Sequence, residues 1–514
     1  MLRDDDHGAA QRLRAITGHD LIYVAGRGWH IWKDSRFRPD PEGLGALVYA
    51  TERLRPAVEK EADWLGEYAE IGKADLSEAR RKNNSATDDE LLAALRGDKA
   101  AAHRKWARTL GSKKTCDSVL SVAAGLAPVE VIQLDADPRG LPVANGRVCL
   151  DAAARWRRPE GCTEVEEAAA RAVWLGPAER KTLPTRASGV AYDATAECPA
   201  WEAFLALVLP CPAIRAYVQR CLGYLLSGEN PASAVYIVLG PGGNGKSIVI
   251  EVLGFVLGEL LATVKAEAFT EAARARSADD ASPSEAAMVG ARAIVAPEIG
   301  ARATLDAEAL KRLTGGETRQ ARNLHKAEYT WKPQGVPILV TNGLPDLKDG
   351  GPSMTRRLHI VPFDVDLEAL PPAQRRDKGE VLEELKAEAP GILNWLIDGW
   401  RDYCAQGFAM PPALEARRDE YVATGDPVGA FIRARCEQMP GARIARSDFC
   451  EAFVSWAAET GATSRPWSRK AISGALRDKG VSSVMVRGHV HLAGLAWCRA
   501  AGGLDADTRD EPPF

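Results

Sequence analysis

The sequence predicts an α/β fold built on a parallel sheet, set inside a chain that is otherwise mostly helical. Three observations predict it. After Ser227-Gly228-Glu229-Asn230-Pro231 the pattern becomes an alternation of apolar runs and helical stretches that lasts to Phe363. The runs Val235–Leu239, Ala293–Glu298, Pro337–Asn342 and Arg356–Phe363 read as buried strands. The first of them passes straight into a glycine-rich turn and then a helical pattern to about Leu260. With 514 residues and 55.3 kDa the chain has room for two to four domains. Apolar residues at 46% and charged residues at 26% exclude wholesale disorder. Lys plus Arg (66) against Asp plus Glu (70) gives −4, which excludes a uniformly basic polymer binder but leaves room for local basic patches.

Upstream of the sheet, Leu21–Val24 and Trp29–Trp32 flank a Gly-rich turn and predict a β-hairpin. Helical, charge-rich sequence runs from about Glu42 to Leu126, broken at Lys82–Asp89. Val129–Asp151 has strand character with an Asn145-Gly146 turn, and Pro199–Leu226 returns to helical spacing. Residues 227–231 read as a linker. Downstream, helices are expected over 367–421, then helices and a strand pair around Arg487-Gly488-His489, then a polar acidic tail. The ten cysteines form no C-x-x-C or C-x-x-H cluster, so reduced thiols are expected and structural zinc is not. No signal core and no 18-residue apolar window occur, which predicts a cytoplasmic protein (of the host cell, if phage-encoded) that crosses no membrane.

The turn Gly240-Pro241-Gly242-Gly243-Asn244-Gly245-Lys246-Ser247 is G-x-x-x-x-G-K-S between a strand and a helix. Glycines let backbone N–H groups turn inward around phosphates, and the helix N-terminus adds a favourable field. Lys246 is then expected at the β- and γ-phosphates of ATP and the Ser247 hydroxyl on Mg2+. Glu298 closes the second apolar run, where a metal-side or water-activating carboxylate belongs; Pro297 stands where an aspartate would strengthen the pattern. Asn342 closes the third run and can bond the attacking water or the γ-phosphate; a strand-end amide capping the next turn is the plainer alternative. Arg356 and Arg357 precede the fourth run, and either could act on a neighbour's nucleotide while the other makes a structural ion pair.

Residues 311–332 hold six Lys or Arg and two acids, a net of +4, and read as a hairpin with a basic tip suited to a phosphate backbone. Residues 465–487 hold six against one, with Trp467 interleaved, and residues 101–115 hold five against none. Both fit nucleic acid or a solvated helix face.

This ordered set resembles the superfamily 3 helicases of the phage and plasmid primase and poxvirus primase–helicase type. Their pattern is a GxxGNGKS loop, a strand ending in Glu, K-x-L-T-G-G-[DE]-x-x-x-x-R, a strand ending T-N-x-x-P, and R-R-x-x-x-x-P-F. Its counterparts here are Gly240–Ser247, Glu298, Lys311–Arg322, Thr341–Pro345 and Arg356–Phe363. The resemblance implies an AAA+-related P-loop motor domain at 227–366, preceded by a mostly helical domain at 1–226. It implies a helical extension at 367–424, a winged-helix-like domain at 425–500 and a disordered acidic tail at 501–514. It also implies a homo-hexameric ring on single-stranded and forked DNA, with Lys246 and Ser247 as Walker A and Glu298 as Walker B. Asn342 would be sensor 1, and Arg356 or Arg357 the arginine finger. Lys311, Arg322, His325 and Lys326 would serve the channel hairpin, and Arg469 and Lys470 would lie on duplex phosphates. Upstream, Trp29–Trp32, Asn145-Gly146, Tyr192-Asp193 and Cys198-Pro199-x-Trp201 resemble the family's helical domain.

The chain opens almost at that helical domain, so no primase is expected in it. The pair Asp135 and Asp137 looks like a polymerase carboxylate motif but lacks a partnering basic or histidine motif, and is read as structural. A separate primase would then be a partner. The terminus Asp507–Phe514 is similar to the tip of bacterial single-strand-binding proteins, although an acidic tail without a partner has the same composition. The expected activity is an ATP-dependent DNA helicase of phage or plasmid-type replication. An ATP-switched initiator or loader with little unwinding is the alternative, and a defence-type nucleotidase indifferent to DNA is a third.

Overall fold

The computed structural model describes residues 3–81, 88–271, 283–300, 303–322, 327–347, 352–371, 375–424, 426–460 and 467–498. Its centre is a five-stranded sheet. In chain order the elements around it are α1 (Pro199–Val208), β1 (Val235–Leu239), α2 (Lys246–Leu257), β2 (Leu261–Thr263) and β3 (Ala293–Ile299), then α3 (Ala307–Thr314). The short antiparallel hairpin β4 (Arg319–Arg322) and β5 (Glu328–Trp331) follows, then β6 (Val336–Thr341), β7 (Leu358–Pro362), α4 (Lys378–Ala387) and α5 (Ala389–Gln406). The sheet order is β7-β1-β6-β3-β2 and every neighbouring pair is parallel. Apolar residues fill both faces of each strand because both faces are covered. Tyr236, Val238, Val295, Ile338 and Val361 pack with α2, α5 and residues 141–153 in one apolar cluster. Ile237, Leu239, Ile294, Leu339 and Ile360 face the other way, onto α3 and the hairpin residues Tyr329 and Trp331.

The upstream region brackets this sheet. The predicted first hairpin forms from Leu21–Val24 and Gly28–Lys33, with Arg36–Pro39 added as a third strand. Helices Arg55–Arg81, Asp88–Thr109 and Lys113–Leu126 follow the predicted helical pattern, the helix Asp6–Thr17 precedes the hairpin without having been expected there, and residues of all four build an apolar cluster apart from the sheet. Gly140–Val143 and Gly146–Cys149 pair around the Asn145-Gly146 turn. The Asn145 amide then exchanges hydrogen bonds with the Tyr192 backbone, at 2.8 and 2.9 Å. Residues 227–231 are not a loose linker. Ser227 is buried, and Asn230 accepts from the Tyr224 hydroxyl (3.0 Å) and from Ala234 N (2.8 Å), because the chain must turn tightly into β1.

Lys311 is not on the basic hairpin: it lies in the last turn of α3, whose start is capped by Asp306. The spacing of Leu310, Leu313 and Thr314 makes one helical face, and that face is buried. Past the sheet, helices Pro427–Arg435, Arg446–Thr460 and Arg469–Asp478 share a separate apolar cluster with a three-stranded sheet. That sheet pairs Cys436–Ala445 and Ser483–Val486 on either side of His489–Trp497. No helix among the described residues is long and apolar enough to cross a membrane. His325, Lys326 and the acidic Pro-Phe tail lie outside the described residues.

Candidate functional site

The C-terminal ends of β1, β3 and β6 open into a cavity of about 1050 Å³. Gly242 to Ile248, Glu298 and Asn342 all line it. Ligand clefts at the carboxyl ends of parallel strands are the general rule for open α/β sheets. The glycine-rich loop is held in shape from three sides. Gly240 N donates to Thr341 O (3.3 Å), Leu367 N donates to Gly243 O (2.9 Å), and the buried Asn244 amide donates to Phe363 O (2.7 Å). Gly243 (φ +69°) and Gly245 (φ +85°) take the left-handed conformation that side chains disfavour. A Cβ on Gly240 would collide with Phe363 O, so that glycine is required by close approach.

Lys246 opens α2 and folds back over the loop. Its ammonium donates to Gly240 O and Pro241 O (2.8 Å), Asn244 Oδ1 (3.2 Å) and Asn342 Oδ1 (3.3 Å). Burial pulls its pKa below the ordinary lysine value. Only neutral oxygens hold it in these four bonds, which leaves its charge available to an anion. Ser247 and Glu298 are exposed to the cavity. The register between β3 and β6 slips by one residue across Ala296–Ile299, so β3 bulges there and Glu298 sits at φ +57°. Bulges re-aim side chains, and here Glu298 lines the cavity while Ile299 stays buried. The Thr341 hydroxyl bonds Ile299 O (2.9 Å) and locks the strand ends together. A hydroxyl and a carboxylate are hard oxygen donors, the set that suits Mg2+.

Arg356 and Arg357 are not in this cavity. They precede β7, at the N-terminal end of the sheet, and Val235 N bonds Arg357 O (2.8 Å). A five-residue strand of about 16 Å separates them from the loop of their own chain. Arg357 is tied to Ser353 O (2.6 Å) and Thr314 Oγ1 (3.3 Å), and burial and its neighbour Arg356 lower its pKa. Arg356 is exposed. Of the other basic candidates, Arg322 is exposed on β4, while Arg319 is ion-paired with Glu285, which takes one charge out of the +4. Arg469 is exposed with a 3.5 Å contact to Glu451, and Lys470 is exposed beside it.

The two tempting aspartates do not share a site. Asp135 is half-buried and accepts from the Thr185 N–H (2.7 Å) and hydroxyl (2.6 Å), with its pKa raised by desolvation; Asp137 pairs with Arg147 and caps the turn at Arg139 and Gly140. Sequence reasoning missed the far wall of the cavity: Phe204 and Leu207 of α1, Leu367 and Leu370, and Arg375, Arg376 and Lys378 with α4. Phe204 and Leu207 sit in a helical apolar pattern that reads as core. Arg375 and Arg376 follow Pro371-Pro372 and carry no motif.

The fold and cavity define an α/β protein with a glycine-rich loop at the strand ends of a parallel sheet. Two family descriptions match it: "D5 N terminal like" over residues 10–210 and a family of unknown function, DUF5906, over 238–357. A protein of Acanthamoeba polyphaga mimivirus named "Putative helicase L207/L206" is 30% identical over 241 residues, 45% of this chain and 25% of that one. "Putative helicase 022R" of Frog virus 3 (isolate Goorha) is 26% identical over 273 residues, 49% of this chain and 27% of that one. The matched stretches span about a quarter of these curated relatives' own length. A solved structure of the NrS-1 C-terminal region covers 58% of this chain and 76% of that one at 13% identity, with a TM-score of 0.37, too low to bear on the fold. The chain is thus similar to the D5 N-terminal-like family over residues 10–210 and, over under half of its length, to viral proteins named putative helicases, in keeping with the resemblance its motifs carry.

Proposed function

We propose that the chain is the ATP-hydrolysing motor of a DNA helicase in phage- or virus-type replication. The observation that carries this reading is the convergence of Lys246, Ser247, Glu298 and Asn342 on one cavity, from three strands far apart in sequence. ATP would lie with its phosphates along Gly242–Ser247 and its base toward Phe204 and Leu207. Ser247 and Glu298 are the residues that would hold Mg2+, which when bound neutralises charge on the transferring phosphoryl group. Lys246 would exchange its carbonyl partners for phosphate oxygens. Asn342 would orient the attacking water, and Glu298 would take its proton. Arg356, exposed at the opposite end of the sheet, would reach a neighbouring subunit's nucleotide in a homo-hexameric ring. Arg322 with His325 and Lys326 would meet single-stranded DNA, and Arg469 and Lys470 duplex DNA through a winged-helix-like unit.

The test is ATPase activity with and without single-stranded DNA, strand displacement on a forked substrate, and a mass measurement for the ring. Lys246→Ala should abolish hydrolysis and unwinding. Lys326→Ala should spare basal ATPase and remove its stimulation by DNA; normal unwinding by that variant would refute the pore assignment. One observation favours a second reading, an ATP-switched initiator or loader: Pro297, rather than an acid, precedes Glu298. DNA-stimulated ATP turnover without strand displacement would support it.

A further inference from the structure

The helix α1, which lines the cavity beside the glycine loop, is not capped by its own neighbours. α1 begins at Pro199, and Cys198 before it makes no capping hydrogen bond. Its first turn is satisfied from 188 residues away: the Glu388 carboxylate accepts from Ala200 N (3.0 Å) and Trp201 N (2.9 Å). Unpaired N–H groups at a helix start favour an anion. Glu388 occupies the joint where α4 ends and α5 begins.

Both helices meeting at that joint matter to the cavity. α4 supplies Val381, Glu384 and Leu385 to its lining, and α1 supplies Ala200, Ala203, Phe204 and Leu207. Glu388 itself lines nothing there. One carboxylate therefore fixes α1 against the end of α4. Gly391, a turn further on, lets the backbones approach: a Cβ there would collide with Glu197 O. The same face of α1 presses on the loop itself. A Cβ on Gly245 would come within 2.8 Å of Val208 Cγ1 and 3.1 Å of Phe204 Cζ. Any shift of α1 thus moves Phe204 relative to the turn that opens α2.

We propose that Glu388 is a positioning residue of the nucleotide cavity: it fastens α1 so that Phe204 closes the site beside Gly245, and it sets nucleotide affinity without touching nucleotide. The proposal rests on the reading of this cavity as a nucleoside triphosphate site. The Phe204 wall would take the flat face of that triphosphate's base.

The experiment uses the full chain. A fluorescent ATP analogue is titrated, and KM and kcat for ATP are measured, in Glu388→Ala, Glu388→Gln, Phe204→Ala and the double variant of Glu388→Ala with Phe204→Ala. Glu388→Ala should raise Kd and KM about tenfold, the equivalent of one lost charged hydrogen-bond pair, with kcat within about twofold. Glu388→Gln, which keeps an acceptor oxygen, should recover most of the affinity. Phe204→Ala should raise KM similarly, and the double variant should be no worse than either single one, because both act through one contact. A lowered melting temperature with unchanged KM would reduce Glu388 to an ordinary helix cap and overturn the proposal. Additive losses in the double variant, or a fall in kcat alone, would overturn it too. If Glu388→Ala does not fold, Glu388→Gln and Phe204→Ala still decide: unchanged affinity in both overturns it. Unchanged nucleotide binding in Lys246→Ala would instead overturn the nucleotide reading beneath it.

Discussion

His359 lies in β7, buried among Tyr217, Tyr236 and Phe408, with its Nδ1 2.9 Å from the Tyr217 hydroxyl. Burial, with a contribution from Arg418, pulls its pKa from 6.5 to about 3. The folded protein therefore keeps this ring neutral while the unfolded chain protonates it below about pH 6.5. Its stabilising effect is complete above that pH and declines as pH falls toward 3, at about 1.4 kcal/mol per pH unit. Urea unfolding at pH 7.5 and pH 5 should differ by about 2 kcal/mol from this group, and His359→Phe should remove that part of the slope. A variant with the same acid sensitivity as wild type would show that His359 is not the source. The residue was legible as part of a strand but not as a buried aromatic partner. Its neighbours come from positions 217, 236 and 408, and no local pattern announces such a contact. Lys246, Ser247, Glu298 and Asn342 were legible because each ends or begins an apolar run, a local signal.

The hairpin of β4 and β5 shows how an element can be read in part. Its alternation is clean: Ala321, Tyr329 and Trp331 are buried, while Gln320, Arg322, Glu328 and Thr330 point outward. The sequence pattern therefore located the hairpin but drew it too long, absorbing α3, because Lys311 and Arg312 match the basic composition expected of a tip. Burial of Leu310 and Leu313 decides for the helix. Trp331, with 1% of its surface exposed, anchors the hairpin against the sheet. Trp331→Ala should cost about 3–5 kcal/mol in chemical unfolding. Arg322→Ala should leave stability nearly unchanged and reduce the salt dependence of DNA affinity by about one phosphate contact. An unaltered salt slope would take Arg322 off the DNA path.

For the molecule as a whole, the apolar clusters divide the chain differently from its motifs. Residues 428–495 form a cluster with no member in common with the others, whereas the cluster on one face of the sheet draws members from Leu141 to Leu414. Calorimetry should accordingly resolve at least two transitions, and added ATP should raise the one belonging to the sheet while leaving the other in place. A single transition displaced as a unit would contradict this. The segment 227–231 looked like a boundary because its composition is that of a turn. What composition could not convey is that both sides of the turn bury their side chains in the same cluster. This arrangement has a consequence during synthesis. The strand face that needs Leu141, α2 and Leu414 has all of its partners only after some 273 residues have followed the first of them. The first strand of the sheet, complete at Leu239, waits about 175 of those residues, so at about 5–20 residues per second it would stand uncovered for roughly 9–35 seconds on the ribosome. Attendance by a chaperone over that interval, and a yield that improves when translation is slowed at low temperature, are what such a delayed closure entails.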